Sequence, residues 1–204
     1  MSATPIRALF LDIGGVLLSN GWDHGMRRHA AEHFGLDYDS FALRHEAAVP
    51  PLELDRITLD QYLDWVVFNE PRNFSAEEFR DFMFGLSTPN PAVIDLMRGL
   101  KEKYGLRVFA VSNESRLLND YRLRTFGLTD WMDAFVSSCY VGIAKPDPKI
   151  WRLALDLAQV PPAQVVFVDN TGFHCRVARE LGMHAIEHRS AGETLQELAA
   201  LGLT

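Results

Sequence analysis

The sequence is poor in cysteine and lacks any long, uninterrupted apolar segment. Its two cysteines, Cys139 and Cys175, lie far apart and form neither a CxxC nor a CxxH spacing. This pattern is typical of reduced thiols in a cytoplasmic protein rather than of a disulfide framework. No apolar run reaches the length that spans a bilayer, and Asp12 interrupts the N-terminal segment that most resembles a signal peptide. We therefore expect a cytoplasmic protein that has no membrane partner.

An excess of positive charge is also missing. The formal net charge is −7 over 204 residues, whereas proteins that bind nucleic acids or acidic membranes normally present a basic face. We therefore expect no nucleic-acid partner. A small anionic ligand is compatible with this charge, because a few local cations can bind it inside an acidic protein. The length suits one domain, or one domain that carries a smaller insertion.

Short β-rich segments alternate with helical patterns along most of the chain. The segments are nearly continuous apolar runs, which are typical of strands buried on both faces. They cover residues 6–12, 106–113, 132–138, 163–170 and 183–188, and helical patterns cover 90–105, 114–127, 147–159 and 171–182. The first of these helices is expected to have Asn90 as its N-cap, Pro91 in its first turn and Gly105 at its end. The alternation predicts an α/β fold with a parallel sheet and crossover helices.

Residues 20–88 interrupt this alternation with helical patterns alone. These patterns cover 22–35, 38–49, 58–69 and 75–85. Thr58 with Gln61, and Ser75 with Glu78, have the spacing of a capping box. We therefore predict a small helical module, residues 20–88, inserted into a core made of residues 1–19 and 89–204.

Polar side chains follow several of the predicted strands. Asp12 ends the first strand, Ser112 and Asn113 end the second, Lys145 lies in the loop after the third, and Asp169 ends the fourth. Ligands of open parallel sheets bind beyond the carboxyl ends of the strands. A capping aspartate, a turn serine or a solvated lysine would explain each residue alone. Their coincidence at one edge of the sheet favours a functional site.

These segments resemble the motifs of the haloacid dehalogenase superfamily, most of whose members are magnesium-dependent phosphatases. The resemblance runs in order through "FLDIGGVLL", "VFAVSN", "GIAKPDPKIW" and "VVFVDNTGFHCRVARELGMHAI" and covers the whole chain. It implies a Rossmann-like, three-layer parallel sheet with an inserted α-helical cap. A subgroup with glycine two positions after the nucleophile includes sugar-phosphate phosphatases, so the implied substrate is a small phosphorylated metabolite.

The resemblance also implies roles for individual residues. Asp12 would attack phosphorus and form an aspartyl-phosphate, with Lys145 as the second catalytic residue. Ser112, Asn113 and Lys145 would bind the phosphoryl oxygens. Mg²⁺ would be held by Asp12, the backbone carbonyl of Gly14 and Asp169, a set of hard oxygen ligands that suits this ion.

The chain departs from the family pattern at two positions. Gly14 stands where most of the phosphatases have a second aspartate, which protonates the leaving oxygen, and the loss of a general acid typically costs about 10²- to 10⁴-fold in rate. Asn170 replaces a second acidic residue of the metal motif, which should weaken Mg²⁺ binding. Either the substrate has a leaving group that needs little protonation, such as an anomeric or acyl phosphate, or another residue supplies the proton. The candidates are Asp23, His24, His29 and His174.

Two other functions stay open at this point. A 2-haloacid dehalogenase shares the nucleophile and lysine and works without metal, but that branch has serine where this chain has Asp169. A catalytically impaired binding or regulatory protein would have no reason to keep Asp12, Ser112, Lys145 and Asp169 together. The sequence leaves open the substrate, the oligomeric state and which of several residues of the helical module face the site. These residues are Trp22, His24, Arg27, Arg28 and Trp65.

Overall fold

The computed structural model describes residues 5–204. The strands are β1 (Ala8–Leu11), β2 (Arg107–Ser112), β3 (Ala134–Ser137), β4 (Val165–Asp169) and β5 (His184–Glu187). The helices are α1 (His24–Phe34), α2 (Tyr38–Glu53), α3 (Leu59–Val66), α4 (Ala76–Gly85), α5 (Pro91–Tyr104), α6 (Arg116–Thr125), α7 (Ser138–Val141), α8 (Lys149–Ala158), α9 (Gly172–Glu180) and α10 (Ala191–Ala200). The five predicted strands and eight predicted helices are confirmed, most of them with shorter bounds.

The strands form one parallel sheet in the order β3-β2-β1-β4-β5. The first strand is central, and Leu11 pairs with Ala110 on one side and with Val168 on the other. The chain therefore leaves β1 in the middle of the sheet, between β2 and β4. This topology places Asp12 at the centre of the carboxyl edge.

Both faces of the sheet are covered, as the apolar strands predict. Leu9 and Leu11 point to a core formed with α5 and α10, whereas Ala8 and Phe10 point to a core formed with α8 and α9. This is the predicted three-layer, Rossmann-like α/β architecture. Helix α10 is an element for which the sequence pattern gave no prediction.

Helices α1 to α4 form a helical unit with an apolar cluster of its own. Phe41, Tyr62 and Phe79 are fully buried in it, and Leu118 of α6 joins it from the core. Both predicted capping boxes are present at the starts of α3 and α4. An element with its own apolar cluster can move as a unit relative to the sheet.

The two connections of the helical unit to the core lie side by side. The backbone N–H of Ser19 donates to the carbonyl of Thr88 at 2.8 Å, and the Thr88 N–H donates to Ser19 Oγ at 3.0 Å. We propose that residues 20–88 form a cap over the core, with its boundaries at this pair. The first four residues of the predicted core lie outside the described residues.

The structure differs from the sequence predictions at three places. Asn90 is the N-cap residue of α5, as predicted, but its side chain makes no capping hydrogen bond and its amide donates to the Val16 carbonyl instead. Ser138 begins the short helix α7 and is not part of β3. Helix α2 continues past residue 49, through Pro50 and Pro51, to Glu53.

The extension of α2 includes two residues that lack a backbone N–H. Two backbone hydrogen bonds are lost at consecutive prolines, and burial of Leu52 in the apolar cluster of the helical unit offsets this cost. The extension carries the end of α2 towards the carboxyl edge of the sheet.

None of the helices described between residues 5 and 204 is long and apolar enough to cross a membrane.

Candidate active site

A cavity of about 350 Å³ lies between the carboxyl edge of the sheet and the helical unit. The core contributes Asp12, Gly14, Asn113, Lys145, Asn170 and His174 to its lining, and the helical unit contributes Trp22, Asp23, Arg27, His45, Glu53 and Met83. Most of the strand-end residues predicted from the sequence therefore line one space. Ser112 and Asp169 lie directly behind the lining, and each is at most 1% exposed.

The centre of the site is a lysine between two carboxylates. The Nζ atom of Lys145 lies 2.6 Å from Asp169 Oδ2 and 3.0 Å from Asp12 Oδ1. All three residues are buried, and the Ile13 N–H also donates to Asp12 Oδ1 at 2.9 Å. Buried charges at this spacing interact more strongly than surface charges, because water screens them less.

The electrostatic environment gives the two carboxylates different pKa values. Burial raises the pKa of Asp12 to about 6; Lys145 opposes this rise and Asp169 adds to it. Burial by itself would also raise the pKa of Asp169, but Lys145 and His174 more than offset it and lower that pKa to about 2. For Lys145, burial acts to lower the pKa, and the two carboxylates outweigh it and raise the value. Asp169 and Lys145 are therefore charged at neutral pH, and Asp12 is mostly ionised.

Ser112 and Asn113 follow β2 on the adjacent side of the site. The Ser112 hydroxyl lies close enough to Asp12 to lower its pKa. The Asn113 amide donates to the Lys145 carbonyl at 2.9 Å, and its carbonyl oxygen accepts from the Lys145 N–H at 2.8 Å. Asn113 thus holds the lysine loop against the end of β2 by a reciprocal pair of hydrogen bonds.

The two glycines after the first strand have different constraints. A Cβ on Gly15, whose φ is +74°, would lie 2.0 Å from the Asn170 amide nitrogen. A Cβ on Gly14 would make only ordinary contacts, the nearest at 3.7 Å. The close approach that requires glycine is therefore at position 15, where the Asn170 amide reaches across to donate to Asn20 Oδ1 at 3.1 Å.

The donor set at the centre of the site fits a hard divalent cation. No group of three or more His, Cys, Asp or Glu side chains that could hold a metal is present within residues 5–204. Asp12, Asp169 and the Gly14 carbonyl provide oxygen atoms of the kind that Mg²⁺ prefers. The two carboxylates outnumber Lys145 by one negative charge, which favours the binding of a cation.

All four candidate proton donors have other partners in the structure. Asp23 caps α1 by accepting from the Met26 N–H. His24 and His29 are exposed and pack against the rings of Tyr38 and Phe82, respectively; neither lines the cavity. Among the residues proposed to face the site, Trp22 and Arg27 line the cavity, whereas Arg28 and Trp65 do not.

His174 lines the cavity but is tied to the core. Its Nδ1 lies 3.1 Å from Asp169 Oδ2 and 3.2 Å from Asp169 Oδ1. The Thr171 N–H also donates to Asp169 Oδ1, at 2.7 Å. Together these groups fix the orientation of the Asp169 carboxylate.

Sequence reasoning missed two acidic residues of this site. Glu53 lines the cavity from the end of α2, and no motif signals it because its position depends on a helix that continues through two prolines. Glu114 also lines the cavity; it forms a buried ion pair with Arg122, whose Nη1 is 2.7 Å from Glu114 Oε1. Arg122 in turn donates to the carbonyl of Ser19, so this pair ties the loop after β2 to the connection of the helical unit.

Comparison with known proteins identifies the family. The model of haloacid dehalogenase-like hydrolases matches residues 6–182. The chain belongs to this family. As a member of the haloacid dehalogenase-like hydrolases, it has the parallel α/β fold of the family.

Among curated relatives, bifunctional epoxide hydrolase 2 of Sus scrofa is 29% identical over 95% of this chain. The chain spans only 38% of the length of that relative. The phosphorylated carbohydrates phosphatase of Thermotoga maritima is 26% identical, and the match covers 97% of this chain and 94% of that protein. Family members of different activity are therefore similar to this chain.

Solved structures give the same picture of the fold. The enzyme BT-2542 of Bacteroides thetaiotaomicron, in complex with magnesium and inorganic phosphate, superimposes with a TM-score of 0.76 at 22% identity, covering 95% of this chain and 98% of that chain. The L-2-haloacid dehalogenase of Xanthobacter autotrophicus superimposes with a TM-score of 0.63 at 19% identity, covering 98% of this chain and 84% of that chain. At these identities, the likeness concerns the fold alone.

Proposed function

We propose that this hydrolase is a phosphatase that removes phosphate from small phosphorylated metabolites, such as sugar phosphates, with the help of Mg²⁺. The observation that carries the proposal is the buried cluster of Asp12, Lys145 and Asp169 at the floor of the cavity. A dehalogenase needs the first two of these residues. The third is a second buried carboxylate, 2.6 Å from the Lys145 ammonium, and its oxygen atoms are of the kind that Mg²⁺ prefers.

The chemistry that we propose proceeds in two steps. A carboxylate oxygen of Asp12 attacks phosphorus, the bond between phosphorus and the ester oxygen breaks, and the alcohol leaves with a proton. Water then attacks the phosphorus of the aspartyl-phosphate, its proton is accepted by a base, and the bond to Asp12 breaks to give inorganic phosphate. Overall, one ester and one water become one alcohol and one phosphate.

The residues around Asp12 support this chemistry. Lys145 favours the ionised form of Asp12 and supplies positive charge where the negative phosphoryl oxygens would lie. Ser112 adds a hydroxyl donor at the same edge. Asp12, Asp169 and the Gly14 carbonyl would hold Mg²⁺, which when bound stabilises the negative charge of the transferring group.

The cavity supports a small polar substrate. Its volume of about 350 Å³ lies at the low end of ligand pockets, and its lining mixes Trp22 with Arg27, His45 and Glu53. An aromatic ring beside hydrogen-bonding groups is a suitable surface for a carbohydrate. The relative from Thermotoga maritima that is named for phosphorylated carbohydrates supports the same substrate class.

The test is phosphate release from an aryl phosphate and from a panel of sugar and acyl phosphates, with Mg²⁺ and with a chelator. We expect release that requires Mg²⁺ and that Asp12→Asn abolishes. Asp156→Asn, which removes an exposed carboxylate of α8, is the matched control and should retain activity. If no phosphate is released under any condition, the phosphatase proposal is wrong. Halide release from 2-haloacids in the presence of chelator would then identify a dehalogenase, and no turnover of either substrate class would indicate a binding or regulatory protein.

A further inference from the structure

The proposed reaction needs a proton donor that Gly14 cannot supply. Asp23 and His174 line the cavity, but the first caps a helix and the second is hydrogen-bonded to Asp169. Glu114 is paired with Arg122. Glu53 differs from these residues: among the residues that the structure describes, it has neither a hydrogen-bonding nor an ion-pair partner for its carboxyl group, and it lines the same cavity as Asp12.

The position of Glu53 in the fold favours a protonated carboxyl group. It is the last residue of α2, where the partial negative charge of the helix terminus disfavours a carboxylate. Its side chain is only partly exposed to solvent. These two conditions are independent of the charges in the site.

The charges in the site add to this effect. The pKa of Glu53 is raised to about 7, mainly by burial and also by Glu114 and Asp12, while Lys145 opposes the rise. The other ionisable groups that line the cavity are Asp23, Arg27, His45 and His174. A carboxyl group that titrates near neutral pH can both donate and accept a proton at the working pH.

We propose that Glu53 is the general acid and base of this enzyme, supplied by the helical unit in place of the residue missing at Gly14. This inference rests on the proposed phosphatase function. In the first step, the protonated Glu53 carboxyl gives its proton to the ester oxygen as the bond from that oxygen to phosphorus breaks, and the neutral alcohol leaves. In the second step, the Glu53 carboxylate takes a proton from the water that attacks the aspartyl-phosphate, so both residues return to their starting states.

A surface ion pair holds Glu53 in place. Asp55, two residues further along, accepts from Arg116 Nε at 2.8 Å, and Arg116 Nη2 donates to the Cys139 carbonyl at 2.8 Å. The turn that follows α2 is thereby attached to α6 and, through Arg116, to α7. The end of α2 is thus tied to the core beside the cavity.

The test compares leaving groups in the wild type, Glu53→Gln and Glu46→Gln. Glutamine keeps the shape of the side chain but cannot transfer a proton. Glu46 is an exposed residue on the same helix and serves as the matched control. Phosphate release is measured with a nitrophenyl phosphate, whose leaving group needs little protonation, and with an alkyl or sugar phosphate, whose leaving group needs a proton.

We expect Glu53→Gln to lower kcat/KM for the alkyl phosphate by about 10²-fold or more and to change it for the nitrophenyl phosphate by less than about tenfold. An equal loss with both substrates, or no loss, would overturn the role of Glu53 while leaving the phosphatase proposal intact. Absence of any Asp12-dependent phosphate release by the wild type would overturn both.

The wild type alone provides a second test, which does not depend on the folding of a variant. If a general acid acts, the rate depends only weakly on leaving-group acidity across a series of aryl and alkyl phosphates. A steep increase in rate with leaving-group acidity would overturn the proposal, because it would show that the leaving oxygen departs without a proton.

Discussion

Lys145 and Asp169 form a buried ion pair at the floor of the cavity, with Nζ 2.6 Å from Oδ2. The same ammonium group is 3.0 Å from Asp12, so one positive charge contacts two carboxylates. We expect Lys145→Met to lower the rate of phosphate release by about 10²-fold or more and the free energy of unfolding by about 3 kcal/mol, because it leaves two buried negative charges unpaired. Steady-state kinetics and urea denaturation measure the two effects.

Lys149 provides the matched control for this change. It lies four residues further along and is exposed, so Lys149→Met should leave both quantities nearly unchanged. Wild-type stability in Lys145→Met would contradict the claim that the lysine offsets the repulsion between Asp12 and Asp169.

The two consecutive glycines after β1 should respond differently to alanine. Gly15→Ala places a methyl group against the Asn170 amide at a backbone with positive φ, and we expect it to destabilise the fold by about 1–3 kcal/mol or more and to displace the loop. Gly14→Ala finds ordinary contacts only and should change stability by less than about 1 kcal/mol. Thermal denaturation of both variants tests this difference, and equal melting temperatures would contradict it.

The ion pair between Asp55 and Arg116 should affect catalysis more than stability. Both side chains are about 40% exposed, and exposed pairs contribute at most about 1 kcal/mol. We expect Asp55→Asn to leave the melting temperature nearly unchanged and to lower kcat/KM by up to about fivefold, because the end of α2 is no longer tied to α6. Asp60→Asn removes an exposed pair within the helical unit, with Arg80, and should not change kcat/KM. An identical result for the two variants would show that the link to α6 has no part in catalysis.

His45 should make stability depend on pH. Tyr62 accepts from Trp22 Nε1 at 2.8 Å, so its own hydroxyl proton is free for His45 Nδ1, also at 2.8 Å. This network requires a neutral His45, and burial, with a contribution from Arg27, lowers the pKa of His45 to about 3. Between this value and the ordinary pKa of 6.5, the unfolded chain binds a proton that the folded protein does not. Stability from this source is therefore complete above about pH 6.5 and decreases as the pH falls.

Because of His45, we expect the free energy of unfolding to be about 1 kcal/mol lower at about pH 5.5 than at about pH 7.5. Urea denaturation of the wild type and His45→Gln at both pH values measures the contribution as a difference. His184 is exposed, and His184→Gln should show the same pH dependence as the wild type. If His45→Gln also shows that dependence, His45 is not its source.

The sequence was sufficient to predict the sheet and the residues at its edge. Asp12, Lys145 and Asp169 follow strands whose apolar composition indicates burial on both faces, and parallel strands bring their carboxyl ends together. The sheet topology thus converts positions that are far apart in the chain into neighbours. The same argument predicted that Ser112 and Asn113 lie close to this edge, although not that the Asn113 amide binds the backbone of Lys145.

Less of the helical unit could be predicted from the sequence. Its helices and capping boxes follow from local patterns, but the side chains that face the cavity depend on how the unit lies on the core. No local pattern distinguishes His24 and His29 from Trp22 and Arg27 as residues that face the cavity. In the structure, only Trp22 and Arg27 of these four line it. Local propensity also gave no reason to extend α2 through Pro50 and Pro51.

The amino-acid sequence by itself therefore determined the family, the parallel sheet and the central carboxylates, because these depend on local hydrophobic patterns and on residues at strand ends. Only the tertiary structure decided that Gly15, not Gly14, is the glycine required by close contact, and that Glu53 shares a cavity with Asp12. Both facts depend on contacts between segments that are distant in the chain, namely the β1 loop with Asn170 and the end of α2 with the sheet. Such contacts depend on how distant segments pack together, and local sequence patterns do not predict this packing.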